Sequence, residues 1–336
     1  MRRLLLIFSA ALLLPVLACH RVDEWGDSAQ DNFNALWTIF DTHYCFFEEK
    51  GVDWDSVYIE YYPKIRECET WIDFFDLCSD MLGELRDGHV NLVSQFNTSY
   101  YKKWWTDYPQ NFDSRLVEQY YLDFDASTRN GITYKVLDDS IAYLRYSSFA
   151  YAPGDATLDY ALYLMQSCPG LIIDIRDNGG GSLSNVETIV SRFIDRQILA
   201  GYITHKTGLG HRDFSEPFPY YFDPAPAPRV HWTKPVVVLT NRSTFSAANN
   251  FVSIMRLLPQ VTIIGDRTGG GSGIPFNSEI PCGWAVRFSA SPIYDAQMHL
   301  TEDGLEPDIH VDLNPEAAMQ GRDTMLDTAI DYLLHL

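Results

Sequence analysis

At 336 residues, 46% of them hydrophobic, the chain is long enough for a sizeable core and about two domains. Its formal net charge is −20, from 25 Lys and Arg against 45 Asp and Glu. Such a balance argues against nucleic acid or an anionic membrane surface as a partner.

Met1–Ala18 has a basic start (Arg2, Arg3), an apolar stretch and a small residue before Cys19, the pattern of a secretory signal peptide too short to span a membrane. Val16-Leu17-Ala18-Cys19 resembles the bacterial lipobox, which makes Cys19 the lipidated first residue of an exported, envelope-anchored chain. An ordinary cleaved signal peptide is the plainer alternative. Residues 19–26 read as a tether. The remaining cysteines, Cys45, Cys68, Cys78, Cys168 and Cys282, are odd in number and contain no C-x-x-C pair, so neither a disulfide scaffold nor a zinc site is expected. A single Cys68–Cys78 bridge fits the spacing; buried free thiols are the simpler reading.

Residues 27–98 read as a small N-terminal helical domain. Phe33, Leu36, Trp37, Phe40 and Tyr44 mark one helix face, with Asp27 or Ser28 as cap. A second helix is expected over Trp54–Pro63, and a third over Trp71–Leu85 that closes at Arg86-Asp87-Gly88-His89 with Gly88 as C-cap. A short strand, Val90–Val93, follows. The aromatic stretch 99–131 reads as a packed connector, or else as an aromatic wall beside a peptide groove.

From Ile132 the pattern turns to strands alternating with helices, which predicts a largely parallel sheet through residues 132–336. Strands are expected at Ile132–Leu137, Ile141–Tyr146, Gly170–Arg176, Ile198–His205, Val236–Leu239, Val261–Ile264 and Ala285–Phe288. Helices are expected at Asp155–Ser167, Leu183–Ile194 and from Asp323 onward. Arg212–Lys234 is a long excursion of the kind that shapes sites.

Two stretches carry chemistry. Val236–Leu239 is a buried strand, followed by a polar turn and an apolar face at helical spacing, which puts Ser246 in a helix's first turn. Unpaired amides and the positive dipole end there can stabilise an oxyanion. Helix capping by Thr244 or Ser246 alone is the bland alternative. The other stretch is Leu171–Gly181, a buried strand running into Gly179-Gly180-Gly181, where the backbone can approach a ligand without a Cβ in the way.

The glycine stretch, Ser246 within Thr244–Asn249, the run Gly265–Gly273 and Gly304-Leu305-Glu306-Pro307-Asp308 occur in that order. Together they resemble the tail-specific, or C-terminal-processing, serine protease family over roughly Ile132–Leu313. That resemblance implies a crotonase-like α/β core with a mixed, largely parallel sheet, Ser246 as nucleophile, and the amides of Gly180 and Ala247 as oxyanion hole. The larger branch of the family uses a lysine base in a Gly-Lys-Gly context. Here position 271 is glycine and no lysine follows Lys234. The branch typified by the tricorn protease core instead carries a histidine base on a segment before the core, and Asp87-Gly88-His89-Val90 is similar to that segment. By resemblance His89 is the base, with Glu302 the nearest match to that branch's glutamate. A serine that precedes the histidine there is Gly88 here. The 41 residues from Asn91 to Gly131 are too few for the PDZ module of the processing branch.

The expected activity is hydrolysis of peptide bonds in peptides or unfolded proteins without a cofactor or metal, and with membrane contact only through Cys19. Two rivals stand beside it. One is a catalytically impaired member that binds a hydrophobic ligand or peptide; the other is acyl-thioester chemistry, disfavoured by the lack of a basic patch for a nucleotide phosphate.

Overall fold

The computed structural model describes residues 25–336; the signal segment and Cys19 lie outside the described residues. Helix α1 (Ala29–His43) starts where the Ser28 side chain accepts the Asp31 amide. Helix α2 (Trp54–Tyr61) gives way at Tyr62 to a 3-10 turn through Glu67, because Pro63 has no N–H to continue the α ladder. Helix α3 (Trp71–Gly83) opens on a reciprocal Thr70–Asp73 capping box. It ends five residues before Gly88. The left-handed residue of the exit is Arg86 (φ 50°), so Gly88 is not the helix cap.

Beyond β1 (Asn91–Val93) the main sheet assembles. Its strands are β2 (Ser127–Arg129), β3 (Ile132–Val136), β4 (Ala142–Tyr146), β5 (Leu171–Asp174), β8 (Val236–Thr240), β9 (Val261–Gly265) and β12 (Ile309–His310). Their order is β12-β9-β8-β5-β4-β3-β2, parallel from β12 to β4 and antiparallel across β3 and β2. Because β2 pairs with β3, residues 127–129 belong to the sheet and not to the connector, which is therefore shorter than 99–131. The second sheet is antiparallel, and two of its five strands have no counterpart among those expected from the sequence. It joins β1, β6 (Ile198–Ile203), β7 (Phe218–Phe222), β10 (Gly273–Glu279) and β11 (Ala285–Tyr294), with β7 lying inside the Arg212–Lys234 excursion.

The period of two in β8 explains why Val236–Leu239 are all apolar. Val236 and Val238 face the cluster with α4 (Asp155–Leu164), α5 (Leu183–Val190) and α6 (Ala247–Met255). Val237 and Leu239 face Leu326, Ala329 and Ile330 of α7 (Thr324–Leu334) on the other side. A strand covered on both faces has no polar side to show. The N-terminal helices do not form a core of their own. Phe33, Phe40, Trp54 and Phe74 share one cluster with Trp284, Val286, Phe288 and Ala290 of the β11 region, which fixes the His89 segment against the rest of the protein. All five cysteines described are free thiols. Among the described residues no helix is long and apolar enough to cross a membrane.

Candidate active site

Strands β5 and β8 are parallel neighbours, with Asp174 opposite Leu239, so the loops that leave them emerge side by side at the carboxyl edge of the sheet. The two loops are tied together. Asp177 N–H donates to Asn241 Oδ1 (3.0 Å), Asn241 Nδ2 donates to Asp177 Oδ1 (2.7 Å), and the Phe245 amide donates to the Asn178 carbonyl (3.0 Å). Arg176 anchors the glycine loop from below. Its buried guanidinium pairs with Asp174 (2.7 Å) and with Asp323 (2.8 Å), the N-cap of α7.

Ser246 is the N-cap of α6 at φ 58° and ψ −123°, with no side-chain capping bond. A positive φ in a non-glycine residue costs on the order of 1–3 kcal/mol and persists only where the surroundings impose it. Here the Ser246 amide donates to the Gly270 carbonyl (2.8 Å), and Thr244, which would otherwise be a capping candidate, donates its hydroxyl to the Ile175 carbonyl (3.0 Å). The Ser246 hydroxyl is thus left for another partner. That partner is His89, whose Nε2 lies 2.9 Å from Ser246 Oγ.

His89 is 3% exposed and tilted against Phe245 (ring centroids 4.8 Å apart). Burial pushes its imidazole down to about 4; the Asp87 carboxylate opposes this, and the Arg287 and Lys50 cations add to it. The ring is therefore neutral at physiological pH. Its Nδ1 is buried and finds no partner among the described residues. Asp87 holds the backbone instead of the ring. Its Oδ1 accepts the His89 amide (2.7 Å), while Oδ2 accepts the hydroxyls of Tyr44 (3.1 Å) and Ser289 (2.8 Å). Sequence reasoning passed over Asp87, although an Asp two residues before a histidine in a turn is the signal of this side chain-to-backbone bond.

Glu302 reaches the same buried cluster but not the imidazole. It pairs with Lys50 (3.0 Å) and accepts the Ser272 amide (2.8 Å). Burial and the facing Asp87 carboxylate push its pKa up, against the pull of Lys50.

The glycines of the site are demanded by contact. A Cβ on Gly180 (φ +95°) would sit 2.7 Å from Ser246 Cβ and 2.8 Å from the Ala247 nitrogen. At Gly271, where the processing branch has lysine, a Cβ would meet the Phe245 ring at 2.4 Å. At Gly88 it would meet Trp104 Nε1 at 2.7 Å, because Trp104 stacks on Phe245 (4.3 Å, 22°) and fills the space a serine side chain would need. The aromatic connector thus contributes one residue to the back of the site.

Two amides face the Ser246 region differently. That of Ala247 donates to no acceptor among the described residues, whereas that of Gly180 donates to Asn178 Oδ1 (3.0 Å). One trio, Asp266, His310 and Asp312, gathers ligand-type atoms within 4.8 Å. Asn111 Nδ2 already donates to Asp312 (2.6 Å), and Arg242 lies 3.4 Å from Asp266, so the carboxylates are engaged.

In sequence and fold the chain is similar to known peptidases. The pattern of Peptidase family S41 matches residues 140–311, and that of the tricorn protease C1 domain matches residues 27–83. A candidate peptidase of Parabacteroides merdae is 48% identical, with a TM-score of 0.87 over 92% of this chain and 98% of that one. A candidate tricorn-like protease C-terminal subunit of Sulfurisphaera tokodaii is 30% identical over 179 residues, 52% of this chain and 19% of that protein. The crystal structure of the tricorn protease, at 14% identity, shares the fold with a TM-score of 0.58 over 91% of this chain and 36% of that one. The chain spans no more than 19% of the length of the curated relatives it matches. From a strand-loop-helix that presents Ser246 and a family pattern that covers just over half of its length, the chain belongs to peptidase family S41, on the tricorn-like side.

Proposed function

We propose that the chain is an exported, lipid-anchored serine endopeptidase that cleaves peptides or unfolded proteins, with Ser246 as nucleophile and His89 as general base. The observation that carries this is the 2.9 Å contact between His89 Nε2 and a Ser246 hydroxyl with no capping role. Neutral His89 takes the hydroxyl proton as Oγ attacks the scissile carbonyl carbon. The carbonyl oxygen gathers negative charge at the start of α6, where the Ala247 amide is free to donate. Gly180 adds a second donor by sharing its proton between Asn178 and the oxyanion. The imidazolium then protonates the leaving amine as the C–N bond breaks. Water attacks the acyl-enzyme by the same steps in reverse. The Asp87 carboxylate favours the transient imidazolium electrostatically. Glu302 and Lys50 hold the charges around Asp87, a supporting role that needs no contact with the ring.

A second reading, a catalytically impaired member that binds peptide or a hydrophobic ligand, draws support from the unpartnered His89 Nδ1 and the engaged Gly180 amide. A fluorophosphonate probe separates the two. Labelling together with peptide hydrolysis, both lost in Ser246→Ala, is expected of the peptidase; binding of peptide without either would favour the impaired member. The anchor is tested by Cys19→Ser, which should leave the membrane fraction or stall in processing. Parent-like fractionation of that variant overturns it.

A further inference from the structure

Beside Ser246 lies a cavity of about 100 Å³. Its walls include Ala247 and Asn250 of α6, Leu183 at the start of α5, Ile274 and Pro275 of β10, and Ile293 of β11. No Lys, Arg, His, Asp or Glu contributes to them. Asn250 is neutral; its Nδ2 donates to the Tyr220 hydroxyl at 2.9 Å, and its Oδ1 is buried with no partner among the described residues.

We infer that this cavity is the primary specificity pocket: it receives the side chain of the residue whose carbonyl Ser246 attacks, and selects an uncharged aliphatic side chain no larger than leucine. This inference rests on the peptidase reading. The attacked carbon must lie against Ser246 Oγ with its oxygen toward the Ala247 amide. The side chain one carbon away then falls within reach of walls that Ser246 and Ala247 themselves form. Size follows from volume: an apolar cavity of about 150 Å³ binds benzene, and one of about 100 Å³ is a third smaller, which favours aliphatic side chains over phenylalanine, tyrosine or tryptophan. Charge is excluded because an ammonium or carboxylate would lose its water and find no counter-ion. A larger cleft of about 430 Å³ lies behind Phe245, walled by Lys50, Arg86, Arg242 and Arg267 with Glu302 and Asp303. Its walls do not include Ser246, and a charged side chain would suit it better.

The test is a set of fluorogenic peptides that differ only at that residue (Ala, Val, Leu, Phe, Lys, Asp), read as kcat/KM beside fluorophosphonate labelling of Ser246. Valine or leucine should lead. Alanine should fall about tenfold or more behind, since a methylene in such a pocket is worth about 10–200-fold; Phe, Lys and Asp should trail by at least about 100-fold. Leu183→Ala and Ile274→Ala each remove wall and should raise phenylalanine relative to valine by about tenfold or more. A labelled enzyme that prefers Phe, Lys or Asp, that cleaves none of the six, or whose folded variants leave the Phe/Val ratio unmoved, overturns the pocket and leaves the nucleophile standing. If neither variant folds, the ranking by the unaltered chain decides alone. A chain neither labelled nor active overturns the peptidase reading and this one with it.

Discussion

Acidification should leave this enzyme active well below the pH at which a histidine base ordinarily fails. Free histidine titrates near 6.5; burial beside Phe245 and the Ser246 turn brings His89 down to about 4, against the opposing pull of the Asp87 carboxylate. At about 1.4 kcal/mol per tenfold, that disfavours the imidazolium by roughly 3 kcal/mol relative to a free ring. kcat/KM measured on an uncharged peptide at constant ionic strength should therefore stay flat from about pH 8 to pH 5 and reach half its maximum near pH 4. Asp87→Asn removes the carboxylate that favours the charged ring, so its acid limb should move lower still, while the amide oxygen can still accept the His89 N–H. The same shift is a stability term. The folded pKa is depressed, so the unfolded chain takes up the proton first. Stability present above about pH 6.5 is lost as pH falls toward 4, and none of it remains to be lost below that. His89→Ala should abolish this acid-sensitive term and lower turnover by about three orders of magnitude or more. An acid limb at pH 6–7 in a folded enzyme would refute the burial argument. Parent-like turnover in His89→Ala would refute the base.

Two further outcomes follow from contacts at the loops. Gly180→Val pushes a side chain against Ser246 Cβ and displaces an oxyanion donor, so turnover should drop on the order of 100-fold in a folded variant; unchanged turnover would put the donor elsewhere. Burial alone would raise the pKa of Asp174, and the Arg176 guanidinium more than reverses that. Arg176→Leu leaves Asp174 and Asp323 buried without their cation and should cost about 3–5 kcal/mol in urea unfolding, against which an unmoved midpoint would count.

Local pattern was enough to read the strand-loop-helix around Ser246, the glycine loop after β5 and the largely parallel sheet, because each is written in a short run of apolar spacing and turn residues. The same holds for His89 as a residue in a turn, though not for its position 2.9 Å from a serine 157 residues away. Other features needed contacts between distant segments. Strand β10 opens on Gly273 at the end of a glycine run, carries a proline and mixed polarity, and becomes a strand only because β11 supplies its hydrogen bonds. Gly88 reads locally as a helix cap, yet its lack of a side chain is set by Trp104 and Phe245, both far away in sequence. Glu302 matched a family position by proximity, but Lys50 and the Ser272 amide claim its carboxylate, and Asp87 is the acid bonded to the His89 backbone. Periodicity reports what one segment buries; which buried groups then face one another is decided by the packing of segments that no local pattern links.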